Sequence, residues 1–259
     1  MGRDIDYSLY LPDEVTPGLP VLYLLHGLGG NERDWPRIGK IRRTANRLIA
    51  ENAIPPMAIV MPDAGNSWYV DSTAHGPVAS ALMNDFMPHV ERRHGLRSDR
   101  AGRFVAGLSM GGYGALRLAI LNPDRFRAAA SLSGAIFPDL ENAGQVSKGQ
   151  IRMFKGAFGT PFLPSRYNSL NFYSKLRALK DANPRPDLFI SVGDDDGFRL
   201  YEGAVELYLR LKRLRLPVEM RIVDGDHNWR LWREDIVPAL KYFGDLLRAD
   251  AKAAVDARD

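Results

Sequence analysis

No cysteine occurs among the 259 residues. Disulfides, thiolate nucleophiles and cysteine-ligated metals are thereby excluded, while the compartment stays open, because a chain without thiols suits either side of a membrane. No apolar run is long enough to span a bilayer. Met1-Gly2-Arg3-Asp4 runs almost directly into a strand-like segment, so this sequence shows no signal peptide; a leader removed earlier would leave no trace, and localisation is left open. A strong charge of one sign is missing too: 35 Lys and Arg against 31 Asp and Glu leave a net +4. The short basic clusters Arg42-Arg43, Arg92-Arg93 and Lys212-Arg213-Leu214-Arg215 fall in helical patterns and read as solvated helix faces, so no nucleic-acid partner is expected. Histidine is scarce, with 5 residues, and no H-E-x-x-H or similar ligand cluster exists; no metal and no cofactor is expected. Repeats and low-complexity linkers are absent, and the length suits one α/β domain over residues 1–259.

What is present is an alternation of strand and helix. Ile5 to Leu11 alternates with a period of two, as a half-exposed strand does. Val21 to Leu25, Ala58 to Met61, Phe104 to Ala106, Ala128 to Leu132, Leu188 to Val192 and Val218 to Val223 are short apolar runs. Helical periodicity fills about 38–51, 78–93, 110–121, 201–214 and 233–247. Short apolar strands separated by helices predict a mostly parallel sheet covered on both faces, with ligands bound beyond the carboxyl ends of its strands. One stretch, about 134–183, breaks the alternation and is rich in aromatics, including Phe154, Phe158, Phe162, Tyr167, Phe172 and Tyr173. It reads as a small lid-like insertion near the site or as a packed surface excursion.

Gly107-Leu108-Ser109-Met110-Gly111 matches G-x-S-x-G between an apolar strand and a helix rich in small residues. In the α/β-hydrolase fold that sharp turn projects a nucleophilic serine, here Ser109. The fold orders its triad as serine, acid, histidine. His26, His75, His89 and His94 all precede Ser109, so elimination leaves His227 as the base. The acid is expected after the strand 188–192, where Gly193 is followed by Asp194, Asp195 and Asp196; position alone leaves the three open. Backbone N–H donors for an oxyanion are expected from Met110 and from the turn His26-Gly27-Leu28-Gly29-Gly30, with Leu28 the choice there. His26 reads as a structural residue tying that turn down.

Several motifs together resemble the esterase family that includes esterase D (S-formylglutathione hydrolase), tributyrin esterases, feruloyl esterase domains and the mycobacterial mycolyltransferases. They are Leu24-Leu25-His26-Gly27, Met61-Pro62-Asp63, Asn66-Ser67-Trp68-Tyr69-Val70-Asp71, the segment from Gly107 to Ala115, and Asp226-His227-Asn228-Trp229. The resemblance runs from Tyr7 to the last helix. It implies the acid at the fourth position of a G-x-x-D pattern, which selects Asp196, with Asp194 second. It also implies that the segment holding Trp68 and Tyr69 lies beside the substrate pocket; the two are candidate substrate contacts or aromatic packing under a loop.

The resulting expectation is a serine carboxylesterase acting on short-chain acyl or carbohydrate (acetyl or feruloyl) esters. The alternatives are acyl transfer to a sugar hydroxyl, a thioesterase like S-formylglutathione hydrolase, and a catalytically silent binding module. The chain departs from S-formylglutathione hydrolases in having no cysteine and in the segment before Tyr69-Val70-Asp71.

Overall fold

Apolar runs too short for helices become the strands of a seven-stranded sheet. The computed structural model describes residues 4–257; Met1 to Arg3, on which the reading of no leader rests, lie outside the described residues. Strands β1 (Tyr7–Tyr10), β2 (Val21–Leu25), β3 (Ala58–Pro62), β6 (Arg103–Leu108), β7 (Ala128–Leu132), β8 (Asp187–Gly193) and β9 (Val218–Val223) line up in the order β1-β3-β2-β6-β7-β8-β9. A separate two-residue ladder pairs β4 (Asp71–Ser72) with β5 (Gly76–Pro77). All neighbours in the large sheet run parallel except β1, which pairs antiparallel to β3 with Tyr7 opposite Pro62. The central strands are buried along their whole length, as strands covered on both faces must be. β9, at one edge, is nowhere fully buried.

Two apolar layers flank the sheet. Ile41, Ala45 and Leu48 of helix Ile41–Ala50 pack with Ile236, Ala239, Leu240 and Phe243 of helix Trp229–Asp256 on one face. The other face takes helix Met110–Leu121, helix Leu200–Arg213 and the segment beginning at Val78. This is the mostly parallel α/β-hydrolase sheet that the sequence predicts.

The differences are local. The expected helix over 78–93 is Val78–Ala81, a wider π turn at Leu82–Phe86, then Met87–His94. Pro88 has no N–H to donate, and the wide turn ends just before it. The last helix starts at Trp229 rather than near 233, because the Asn228 side chain accepts from Arg230 N at 2.9 Å and caps it there. The stretch 134–183 holds helices Lys148–Met153, Pro164–Leu170 and Leu176–Asp181. Its aromatic side chains Phe158, Phe172 and Tyr173 are buried, and the Phe154 and Phe158 rings meet the Trp68 ring edge-on at 5.1 and 5.8 Å.

Below the sheet's amino ends lies a buried ion pair. Arg103 donates to both Glu91 oxygens at 2.8 and 2.9 Å, and Tyr23 Oη donates to Glu91 Oε1 at 3.0 Å. Burial, then the adjacent Glu91 carboxylate, pushes the Tyr23 hydroxyl well above the usual tyrosine range, so it stays a neutral donor. The side chains of Arg103 and Glu91 are 5% and 2% exposed. Glu91→Ala leaves the guanidinium buried and uncompensated, with an expected loss of about 3–5 kcal/mol in urea unfolding; a loss below about 1 kcal/mol would contradict this account.

Candidate active site

The three triad candidates fall just beyond the carboxyl ends of parallel strands. Ser109 follows β6, Asp196 follows β8 and His227 follows β9. Ser109 closes β6 with φ 52° and ψ −117°, a conformation that side chains rarely adopt. The turn survives because its neighbours lack Cβ atoms. A Cβ on Gly107 would lie 2.4 Å from the Gly111 backbone, and one on Gly111 would lie 2.5 Å from His26 O. Ser109 N donates to Leu132 O at 2.9 Å, and Ser109 O accepts from Tyr113 N and Ala135 N, which pins the strained residue. Strain of this kind costs about 1–3 kcal/mol and is held by the surrounding frame.

His227 and Asp196 complete a chain of hydrogen bonds. His227 Nε2 lies 3.0 Å from Ser109 Oγ, and His227 Nδ1 lies 2.8 Å from Asp196 Oδ2. A carboxylate only accepts, so Nδ1 carries the proton and Nε2 presents its lone pair to the serine hydroxyl. Asp196 is 2% exposed, and its Oδ1 accepts from Phe198 N at 2.9 Å. Asp194 stands apart: it is exposed, and its Oδ1 accepts from Gly225 N at 3.1 Å. The carboxylates of Asp194, Asp195 and Asp224 gather at the surface within 4.8 Å of one another. Asp226 accepts from His227 N and Gly197 N, and these backbone bonds, His227 first, hold its carboxyl below the usual range. The loop before the last helix is thereby tied to the loop after β8.

The imidazole is gripped by two rings. Phe198 meets it edge-on at 5.0 Å and Trp232 at 4.9 Å with an interplanar angle of 90°. Trp232 is itself anchored, its Nε1 donating to Ser133 Oγ at 3.2 Å.

Leu28 lies in the turn after β2 and lines the same cavity as Ser109, and Met110 is the first residue of helix Met110–Leu121. The turn is braced from outside. Ala64 N donates to His26 Nε2 at 3.1 Å, so the other ring nitrogen carries the proton and donates to Gly27 O at 2.8 Å. Gly29 N donates to Asn66 Oδ1 at 2.7 Å. His26 is a buried strut, the structural residue that the sequence suggests.

A cavity of about 350 Å³ opens over Ser109 and His227. Gly27, Leu28 and Leu108 contribute from the strand ends, and Ala135, Phe137, Gln150 and Met153 from the insertion. Phe198, Leu200, Trp229 and Trp232 contribute from the starts of two helices. Trp68 reaches the lining although it is only 1% exposed, with Nε1 donating to Met153 O at 3.1 Å. Tyr69 does not: it is 0% exposed and absent from the lining, its hydroxyl donating to His26 O at 3.0 Å. The expectation of direct substrate contact is therefore corrected for Tyr69, which braces the turn holding Leu28 from behind. The cause is local, because positive φ at both Trp68 and Tyr69 turns the second ring into the core against Gly114. Phe137, Met153, Phe198 and Trp232 went unnoticed in the sequence, and Trp229 stood there only as part of a motif; an aromatic two residues after Asp196 and two residues after His227 is the signal that marks Phe198 and Trp229.

Among the described residues, no helix is long and apolar enough to cross a membrane. The chain is 26% identical over 241 residues to an acetyl esterase of Caldicellulosiruptor saccharolyticus, covering 89% of this chain and 85% of the relative. Its fold matches a ferulic acid esterase at 25% identity with a TM-score of 0.77, covering 93% of each chain. It also matches the fluorophosphonate-binding serine hydrolase F of Staphylococcus aureus at 26% identity and a TM-score of 0.70, covering 91% of this chain and 90% of that one. Residues 1–243 match the model of the family described as "Putative esterase", and the chain belongs to that family.

Proposed function

We propose that this esterase hydrolyses short-chain acyl or carbohydrate (acetyl or feruloyl) esters through an acyl-enzyme on Ser109. The observation that carries the reading is the unbroken chain Ser109–His227–Asp196, at 3.0 and 2.8 Å, on the floor of a cavity. Ser109 Oγ attacks the ester carbonyl carbon while its proton passes to His227 Nε2. The carbonyl electrons move onto oxygen, which the backbone N–H groups of Leu28 and Met110 stabilise together with the positive end of the helix that starts at Met110. The tetrahedral intermediate collapses, the carbon–oxygen bond to the alcohol breaks, and the leaving oxygen takes the proton from His227. Water then repeats the sequence and frees the acid. Asp196 holds the imidazole in the required tautomer and stabilises its charged form.

The names of the relatives, acetyl esterase and ferulic acid esterase, support the ester classes, and a cavity of about 350 Å³ suits an acyl group of that size. A fluorophosphonate probe tests the reading directly. It is expected to add one adduct per chain, on the peptide containing Ser109, and to abolish p-nitrophenyl acetate hydrolysis in proportion. Full activity in a fully labelled protein, or an adduct elsewhere with Ser109 untouched, would overturn it.

A further inference from the structure

The cavity over Ser109 does not end at Phe198. A second groove of about 340 Å³ continues from it, and the two share Phe137, Gln150, Phe198 and Leu200 in their linings. Phe198 stands at the junction and is 58% exposed, although one side of its ring packs on the His227 imidazole. Beyond it the groove changes character, gaining Arg199, Glu202 and Glu206 beside an apolar floor that includes Ile136 and Pro138.

From these observations the geometry points to a subsite for the alcohol portion of the ester, built on Phe198 and taking an uncharged, hydroxyl-bearing ring such as a sugar. The inference rests on the esterase reading above and deepens it. In that reaction the departing oxygen receives its proton from His227, so the alcohol leaves beside the imidazole. Phe198 is the exposed ring beside that imidazole, and the groove beyond it lies along the way out. An exposed aromatic face offers apolar contact to the C–H face of a ring, while the surrounding carboxylates, guanidinium and Gln150 amide bond its hydroxyls.

The charges on the groove walls disfavour the other kinds of leaving group. Arg199 is already paired with Glu202, and Glu206 adds a second carboxylate with no ion pair among the described residues. One cation against two anions repels an anionic alcohol or thiol. A long alkyl alcohol gains little from a groove with three charged residues on its walls.

The test compares kcat/KM for acetylated xylotriose with kcat/KM for p-nitrophenyl acetate. Any effect of Phe198 on His227 itself is common to both esters and cancels in the ratio. Phe198→Ala is expected to lower the ratio about tenfold, mainly through KM for the sugar ester, which matches the loss of one buried ring contact. Phe198→Trp, which keeps an aromatic face, is expected to hold it within about threefold of wild type. An unchanged ratio in Phe198→Ala overturns the inference. So does a selective loss toward methyl ferulate, which would place the acyl group in the groove. A wild-type protein that cleaves p-nitrophenyl acetate but not the acetylated sugar also overturns it, and leaves the esterase reading standing. Hydrolysis of neither ester removes the esterase reading and the subsite with it.

Discussion

Ser109→Ala is expected to lower kcat for p-nitrophenyl acetate by about 10⁶-fold, the scale seen when a triad serine is removed from other hydrolases. The size of the effect follows from the geometry. Ser109 Oγ is the oxygen of the proposed triad that faces the cavity, 3.0 Å from His227 Nε2. An alanine at this position leaves the proposed oxyanion donors and the cavity walls in place, so about 10³–10⁴ over the uncatalysed rate is expected to survive. The variant keeps the fold, because the bonds that pin residue 109 run through its backbone N–H and C=O. Circular dichroism and an unchanged urea midpoint check that, and the rate checks the chemistry. A folded Ser109→Ala protein retaining a tenth of wild-type kcat would remove Ser109 from the nucleophile's role.

Asp196→Asn is expected to cost about 10⁴-fold in kcat, with Asp194→Asn as its control. Asparagine has nearly the same shape, so the loss is electrostatic. The charge that stabilises the imidazolium disappears, and an amide N–H₂ turned toward Nδ1 favours the wrong tautomer. Burial makes the charge matter, since Asp196 is shielded from water while it faces His227 at 2.8 Å. Asp194 lies on the exposed side of the same turn, and its bond to Gly225 N needs only an oxygen, which asparagine also supplies. Its replacement is expected to change kcat by about threefold or less. The reverse ranking would transfer the acid's role to Asp194. A steep loss in both would mean that the turn, rather than one carboxylate, orients His227.

The strands were legible because each buried strand is a compact apolar run, and burial on both faces leaves no alternation to misread. Ser109 and His227, which the structure brings to 3.0 Å of each other, stood out as candidates for different reasons, one through its glycine frame and the other by elimination among 5 histidines. Asp196 could not be separated from Asp194 and Asp195 by position, because what distinguishes it is the direction of the turn. Only Asp196 is buried, with one oxygen on Phe198 N and the other on the imidazole. The cavity walls were least visible. Phe137, Met153, Phe198 and Trp232 meet from segments separated by tens of residues, and periodicity carries no information about such meetings. Trp68 and Tyr69 show the same limit at short range, where two consecutive left-handed residues send one ring to the cavity and the other behind it.

The position of β9 bears on how this esterase would wear out. His227 is carried by the loop that follows the edge strand, paired on one side only, whereas Ser109 follows a strand embedded between two neighbours. Fraying spreads inward from a sheet's margin, and opening a margin takes less free energy than parting its centre. Under heat or denaturant the imidazole is therefore expected to part from the serine while most of the sheet still stands, so that activity falls at a lower urea concentration than circular dichroism does.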